Sequence, residues 1–246
     1  MNDDDPIYCH QNIPLFESLY GKNLISLGEY DSVEDMFFDI NLINLKALDI
    51  GFGLGGIAFY LAKKYDMNIS GVELNSWMAD YASKNAPHDT KYPLKFSTYN
   101  HDGSIPYETE SFDLVYSKGV LNHVTEKQSL FQEVYRVLKL DGLFIIMDWV
   151  FPEIGVDTTR PLVRETEESY RKFLKKSGFQ NITFRNNSHT YSRFVENFIK
   201  NLSTQQKFIE EKYNKEFFDI VWKQHQDLLQ NVLSQKQFAM RIIAHK

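Results

Sequence analysis

From residue 45 onward the chain alternates between two hydrophobic rhythms. Short apolar runs at 45–50, 68–74, 94–99, 112–117, 142–150, 179–184 and 237–245 read as strands. Between them apolar residues recur at helical spacing over 57–65, 76–84, 127–138 and 165–177; in the third, Leu130, Phe131, Val134 and Leu138 share one face, and Gly178 stops the last. Near-continuous apolar strands separated by amphipathic helices predict a mostly parallel sheet with helices on both faces and right-handed crossovers. The seventh strand arrives only after a helical, aromatic-rich stretch. The pattern therefore predicts a single α/β domain: a cap over 1–44, a core over 45–188, a helical insertion over 189–235 and a last strand over 236–246. Both additions are placed to fold over the ligand edge of the sheet.

Composition narrows the class. Hydrophobic residues make up 43% of the 246, enough for a core and against disorder. The net charge is −6 and no basic stripe runs along any helix, so a nucleic-acid footprint is missing. The one cysteine, Cys9, makes neither an internal disulfide nor a Cys-based zinc site, and no metal site is expected. No apolar run approaches the ~18 residues that span a bilayer. The N-terminal Met1-Asn-Asp-Asp-Asp lacks the basic-then-apolar order of a secretory signal, so a cytoplasmic location is expected, with no membrane partner. Helical aromatic faces serve a core or a subunit interface equally, so no oligomeric state is read.

The stretch "ALDIGFGLGG" at 47–56 follows the first strand and opens a helix. Its glycines can take positive φ and let backbone approach a ligand closely. Glu73 closes the second strand about 20 residues on, where a carboxylate accepts hydrogen bonds from a ribose diol. Gly51, Gly53 and Gly56 also satisfy the dinucleotide fingerprint, so an NAD-dependent oxidoreductase is an alternative. Asp49 argues against it: a carboxylate there repels a pyrophosphate and suits a cationic, phosphate-free ligand. The bland alternative is a tight turn with Glu73 as a surface acid.

The strings "LDIGFGLGG", "GVEL", "SFDLVYS" and "RVLKLDGLFII" together resemble the motifs of class I S-adenosylmethionine-dependent methyltransferases over about residues 45–185 and the terminal strand. That resemblance implies a Rossmann-like seven-stranded sheet with an antiparallel last strand, S-adenosyl-L-methionine as cofactor and a methyl acceptor as partner. It places Asp49, Gly51 and Gly53 along the methionine part of the cofactor, Glu73 at the ribose, His101 and Asp102 near the adenine, and Ser117 near the sulfonium. Outside the sheet, "LFESLYGKNLISLGEYDS" at 15–32 resembles the cap of phosphoethanolamine N-methyltransferases and of related glycine and sarcosine methyltransferases. By that likeness Ile25, Ser26 and Gly28 touch the cofactor, and Tyr8 pairs with His123, which keeps the family's spacing to Ser117.

The likeness implies a Tyr8–His123 latch that takes a proton from a small amine and aligns it for in-line displacement. The bland alternative is that His123 caps a helix or satisfies a core hydrogen bond. The chain also departs from the family. Gly119 stands where an aspartate would face an ammonium, and Leu162 where a phosphate-binding tyrosine is expected. Arg160 matches a phosphate-binding arginine and, with Arg164, could bind a carboxylate instead. Trp149 follows the strand-five aspartate, where a tryptophan face could hold a methylated cation. Tyr191 and Trp222, in the insertion, are candidates to line the acceptor pocket or are simply core. Two further alternatives stand beside an N-acceptor: O- or C-methylation of a small natural product, and a non-catalytic S-adenosylmethionine-binding protein.

Overall fold

The computed structural model describes residues 8–99, 104–156 and 162–246. Its strands are β1 (Lys46–Ile50), β2 (Asn68–Glu73), β3 (Lys95–Thr98), β4 (Phe112–Lys118), β5 (Leu138–Val150), β6 (Gly155–Val156), β7 (Val163–Arg164), β8 (Gln180–Asn186) and β9 (Phe238–His245). Its helices are α1 (Ile13–Tyr20), α2 (Glu29–Phe37), α3 (Gly56–Tyr65), α4 (Ser76–Asn85), α5 (Lys127–Val137), α6 (Glu167–Ser177), α7 (Ser188–Thr204), α8 (Gln206–Lys212) and α9 (Lys215–Leu233).

Seven strands form one sheet in the order β3-β2-β1-β4-β5-β9-β8. It is the predicted Rossmann-like arrangement, parallel except for β9, which runs antiparallel to β5 and β8. The chain moves outward from β1 through β2 and β3, then returns to β4 on the other side. That reversal opens a crevice at the carboxyl ends of β1 and β4, where ligands of such sheets sit. Strand alternation supplies both faces. Leu48, Ile50, Phe144 and Ile146 point to the cluster completed by α5 and α6. Ala47, Leu114, Tyr116 and Ile145 point to the cluster completed by α2 and α3. Local signals set the helix ends: Thr166 and Ser169 form a reciprocal capping box on α6, and Gly178 closes it in a left-handed conformation.

Three features differ from the sequence reading. Strand β5 begins at Leu138, not 142, because Leu138 pairs with Phe112 before the register shifts. The β6–β7 hairpin is two residues per strand, too short to leave a periodic signal. Of the cap, only the part up to residue 28 reaches the ligand edge; α2 lies on a sheet face. Its Met36 and Phe37 enter the core, and its end is fastened to the sheet's far edge. Arg241 donates from Nε to the Met36 carbonyl at 2.6 Å and pairs with Asp39, while Arg185 pairs with Asp35 at 2.7 Å. Helix α1 instead packs on the insertion, through Leu15, Leu19, Phe198 and Leu202.

Arg241 is buried while the Asp39 side chain stays half exposed. Arg241→Ala strands the Met36 carbonyl and removes buried packing, so it is expected to cost about 2–3 kcal/mol and lower Tm by about 5–10 °C. Asp39→Asn, which leaves the guanidinium its carbonyl partner, is expected to cost less than half as much. Calorimetric unfolding of the two variants checks this, and equal losses would refute it.

Candidate active site

A strap, residues 21–28, crosses directly over the glycine loop. The Gly56 amide donates to the Asn23 carbonyl at 3.0 Å. A side chain at Gly56 would meet that carbonyl oxygen at 2.5 Å, and one at Gly53 (φ +56°) would meet Ile25 at 2.6 Å. At Gly51 (φ +74°) a Cβ would stand 2.4 Å from Val120, on the turn after β4. The loop is therefore gripped from two sides, and its glycines serve chain-on-chain packing as well as ligand approach.

Beneath the strap lies a cavity of about 810 Å³, counting its open mouth. One end is walled by Glu73, Leu74, Asn75, Met78 and Tyr99, the other by the strap, Gly51 and residues 118–120. Glu73 accepts from the amides of Leu74 at 2.8 Å, Asn75 at 3.2 Å and Gly53 at 3.2 Å. Burial raises its pKa against those bonds. Asn75 Oδ1 is buried without a partner. Asp49 is also buried, and its Oδ2 has no hydrogen-bond partner. Burial pushes it up to about 8, the neighbouring Tyr116 hydroxyl opposing and the Glu73 charge adding. A ligand offering hydroxyls to Glu73 and Asn75 at one end, and a positive charge toward Asp49 behind the loop at the other, fits these acceptors. That is the character of a nucleoside joined to an amino acid, not of a pyrophosphate.

A second cavity of about 950 Å³ adjoins the first. Aromatic rings dominate its walls: Tyr8, Tyr20, Trp149, Phe151 and Tyr191. The two cavities share one wall, made by Tyr8, Ile25, Ser26, Lys118, Gly119 and His123. Tyr8 and His123 meet there edge to face, with ring centroids 6.5 Å apart, and Tyr8 also stacks on Phe16. His123 sits on a short turn that the end of β5 holds in place. Asp148 Oδ2 accepts from the amides of Val120 at 3.1 Å and Leu121 at 2.6 Å. Buried Lys127 donates to the Val124 carbonyl at 2.6 Å and pairs with Glu165 at 3.4 Å. Burial lifts Asp148 to about 6, its backbone bonds and Lys127 opposing.

The structure brings together Tyr8, His123, Ile25, Ser26, Gly51 and Glu73 around the first cavity, and Trp149 and Tyr191 in the second, their rings edge to face at 5.8 Å. Other predicted residues stand elsewhere. Gly28 starts α2 at φ +84° and faces Phe194 and Ser32, in a separate cleft. Ser117 Oγ donates to the Ile50 carbonyl at 3.1 Å, tying β4 to β1 without lining either cavity. Gly53 and Asp49 back the loop rather than line it. Trp222 packs on Phe218 in the cap–insertion cluster, and Arg164 lies over the Phe151 ring at 5.4 Å. His101, Asp102 and Arg160 fall outside the described residues.

Sequence reasoning passed over Lys118, which closes the buried run of β4, and the part played by Asp148, the one charge within 143–150; both are legible signals. It also missed Asn75 and His225, whose ring stacks on Phe198 at 4.0 Å on the second cavity's wall. Nothing in the periodicity of α9 marks that histidine.

Comparison with known proteins agrees with this geometry. Residues 48–146 match a family model described as a methyltransferase domain. Phosphoethanolamine N-methyltransferase 1 of Arabidopsis thaliana is 24% identical over 234 residues, covering 89% of this chain and 47% of that protein. The chain thus spans about half the length of that relative. Demethylmenaquinone methyltransferase of Lactobacillus johnsonii is 31% identical over 186 residues, covering 70% of this chain and 72% of that one. In fold, the chain superposes on phosphoethanolamine N-methyltransferase 2 of Haemonchus contortus, solved with phosphomonomethylethanolamine and S-adenosylhomocysteine. The TM-score is 0.87 at 21% identity, over 99% of this chain and 59% of that one. With the glycine loop, the buried Glu73 carboxylate at the end of β2 and the matched domain in agreement, the chain belongs to the class I S-adenosylmethionine-dependent methyltransferases.

Proposed function

We propose that this chain methylates a small amine, of the phosphoethanolamine or glycine kind, with Tyr8 and His123 as the catalytic pair. The shared wall carries the reading: a tyrosine–histidine contact between the cap and the turn after β4 lies between a nucleoside-type cavity and an aromatic one. Glu73 and Asn75 would hold the ribose end of S-adenosylmethionine, Gly51 would allow its close approach, and the charge of Asp49, behind the loop, would favour its ammonium at the other end. When bound, the cofactor supplies an electrophilic methyl group on a sulfonium sulfur.

An aliphatic amine with a pKa near ~10 is protonated at neutral pH and cannot attack until that proton leaves. His123 stands where it can take the proton, and Tyr8 orients the imidazole. Trp149, Tyr191 and Tyr20 offer ring faces to a methylated ammonium. Asp148 also lines that cavity, but its carboxylate is taken up by the Val120, Leu121 and Trp149 amides. One observation favours a second reading, an oxygen or carbon acceptor: beyond its chain neighbours nothing stands within 4 Å of where a Gly119 side chain would begin, so the wall shared with His123 leaves room for a bulkier, uncharged substrate.

Methyl transfer from labelled S-adenosylmethionine to phosphoethanolamine, glycine and a set of phenols separates these readings. Turnover of the amines, with Tyr8→Phe and His123→Asn each lowering kcat by about 10²–10⁴-fold while S-adenosylhomocysteine still binds, is the expected result. Turnover of phenols alone would favour the second reading. Unchanged kcat in both variants would remove the latch from the mechanism.

Asp49 gives a pH prediction. Its pKa near 8 in the folded chain lies above the ordinary 3.8, so the folded state holds a proton that the unfolded chain releases as pH rises through that interval. Asp49 therefore costs stability progressively toward pH 8. Asp49→Asn, which mimics the protonated form, is expected to raise the ligand-free Tm by about 2–5 °C at pH 8, the gain shrinking toward pH 4. The same variant should bind S-adenosylhomocysteine at least tenfold more weakly, on the order of one lost charge-assisted bond. A Tm difference that does not vary with pH would contradict the assignment.

A further inference from the structure

Asn122 precedes His123 on the turn after β4, and the reading above gives it no task. It is buried, and it lines the second cavity. Its Nδ2 donates to the Trp149 carbonyl at 3.2 Å and to the Val163 carbonyl at 3.0 Å. Carbonyls only accept, so these two bonds fix which end of the amide is which. The NH2 faces β5 and the β6–β7 hairpin, and the remaining atom is an oxygen that can only accept. That Oδ1 is buried and has no hydrogen-bond partner among the described residues. A second orphan belongs to the same cavity: the hydroxyl of Tyr191, whose ring meets Trp149 edge to face. Buried polar atoms are ordinarily paired, and leaving one bare is costly. A tie between β5 and the hairpin needs only the NH2 end of Asn122 and does not account for its oxygen. The neighbouring acid does not compete for a ligand's donor, since Asp148 is spent on the Val120, Leu121 and Trp149 amides. Leu162, beside Val163, lines the cavity with an aliphatic side chain that gives an anion no donor.

We propose that Asn122 is a specificity residue for the methyl acceptor: its Oδ1 accepts a hydrogen bond from an N–H or O–H that the acceptor carries. This rests on the amine reading of the same site. Two groups of a small amine supply such a donor: the N–H left on the reacting nitrogen, or a hydroxyl elsewhere in the molecule. The consequences differ. A neutral primary or secondary amine keeps an N–H beside the lone pair that attacks, and a neutral tertiary amine has none. An oxygen that takes that N–H would therefore stop methylation of a primary amine after the second methyl group. An oxygen that takes a hydroxyl would select amino alcohols and be indifferent to the methyl groups already on nitrogen. In both cases the donor meets an oxygen that otherwise stays unpaired. A site of that kind rejects an analogue lacking the donor far more strongly than an apolar pocket rejects one lacking a methyl group.

Initial rates of methyl transfer from labelled S-adenosylmethionine to two sets of amines test this on the whole chain. The first set removes N–H groups: phosphoethanolamine, ethanolamine and glycine, each beside its N-methyl and N,N-dimethyl forms. The second removes the hydroxyl: ethanolamine beside 2-methoxyethylamine. If the donor is the N–H, wild-type kcat/KM falls about tenfold or more from the N-methyl to the N,N-dimethyl form. Asn122→Leu, of similar size, then lowers only the amines that bear an N–H and levels that ratio. If the donor is the hydroxyl, ethanolamine exceeds 2-methoxyethylamine by about tenfold or more, and Asn122→Leu levels that pair alone. Should Asn122→Leu fail to fold, Asn122→Ala, which adds no bulk, carries the same comparison. Wild-type ratios near unity in every set that is turned over overturn the proposal without any variant. A common loss on every amine in the variant, with the ratios kept, also overturns it and leaves Asn122 a tie between β5 and the hairpin. A wild-type chain that binds S-adenosylhomocysteine but methylates no amine overturns the amine reading, and this inference with it.

Discussion

The close approach of the strap to the glycine loop is the constraint on which the site depends. Backbone meets backbone at Asn23 and Gly56, and the Ile25 side chain fills the volume that any side chain at residue 53 would need. From the other side Val120 presses on Gly51, and Val120 is held by the Asp148 carboxylate. The first cavity, the shared wall and the position of His123 all follow from this one stacking of strap, loop and turn. A methyl group at Gly53 or Gly56 would press on the strap and one at Gly51 on the turn, and with them on the walls of both cavities. The insertion supports the arrangement from behind: α1 rests on α7 through Leu19 and Phe198, so the strap leaves a helix that is already anchored.

The fold spends stability on this site. Asp49, Glu73, Lys118 and Asp148 are all buried within or behind it, and desolvation moves each away from its ordinary pKa, toward neutrality. Such a concentration of perturbed ionisable groups is a signature of function rather than of stability. The compensation is visible elsewhere. The backbone amides around Glu73 and Asp148 satisfy most of their lone pairs, and Lys127 and Glu165 neutralise one another under the His123 turn. Away from the site, polar groups are placed conventionally, as in the capping box of α6.

What could be read from the sequence follows from how local each signal is. The strands were legible because a parallel sheet buried on both faces writes continuous apolar runs. The glycine loop and Glu73 were legible because turn, strand end and spacing lie within one βαβ unit. His123 and Tyr8 came from a resemblance of motif, since no local pattern joins residues so far apart. Gly28 and Ser117 had the right neighbours in sequence and the wrong direction in space: Gly28 turns into α2, and the Ser117 hydroxyl is consumed by the Ile50 carbonyl. Tyr191 and Trp222 looked alike as aromatics on helices. Only the docking of α7 against β9 and of α9 against the cap decides that one lines the cavity and the other fills a core. Lys118 and Asp148 were in plain view, one closing and one interrupting an apolar run that the sheet buries, where a charge is costly.

The charges left unbalanced in the site have a common logic. Asp49 pairs in register with Tyr116 on the neighbouring strand, and Lys118 follows Tyr116 by two residues, so both point to the same side of the sheet. Burial drives the acid toward its protonated form and the lysine toward its neutral one. A pyrophosphate would relieve the lysine and aggravate the acid. A simple cation would do the reverse. Of small polar groups, a zwitterion with ammonium and carboxylate on one carbon can answer both at once, restoring each charge without changing the total. An amino-acid end on the bound nucleoside has that form. On this argument the choice of cofactor is written less in the glycines, which dinucleotide sites share, than in an acid and a base that burial has left waiting for opposite partners.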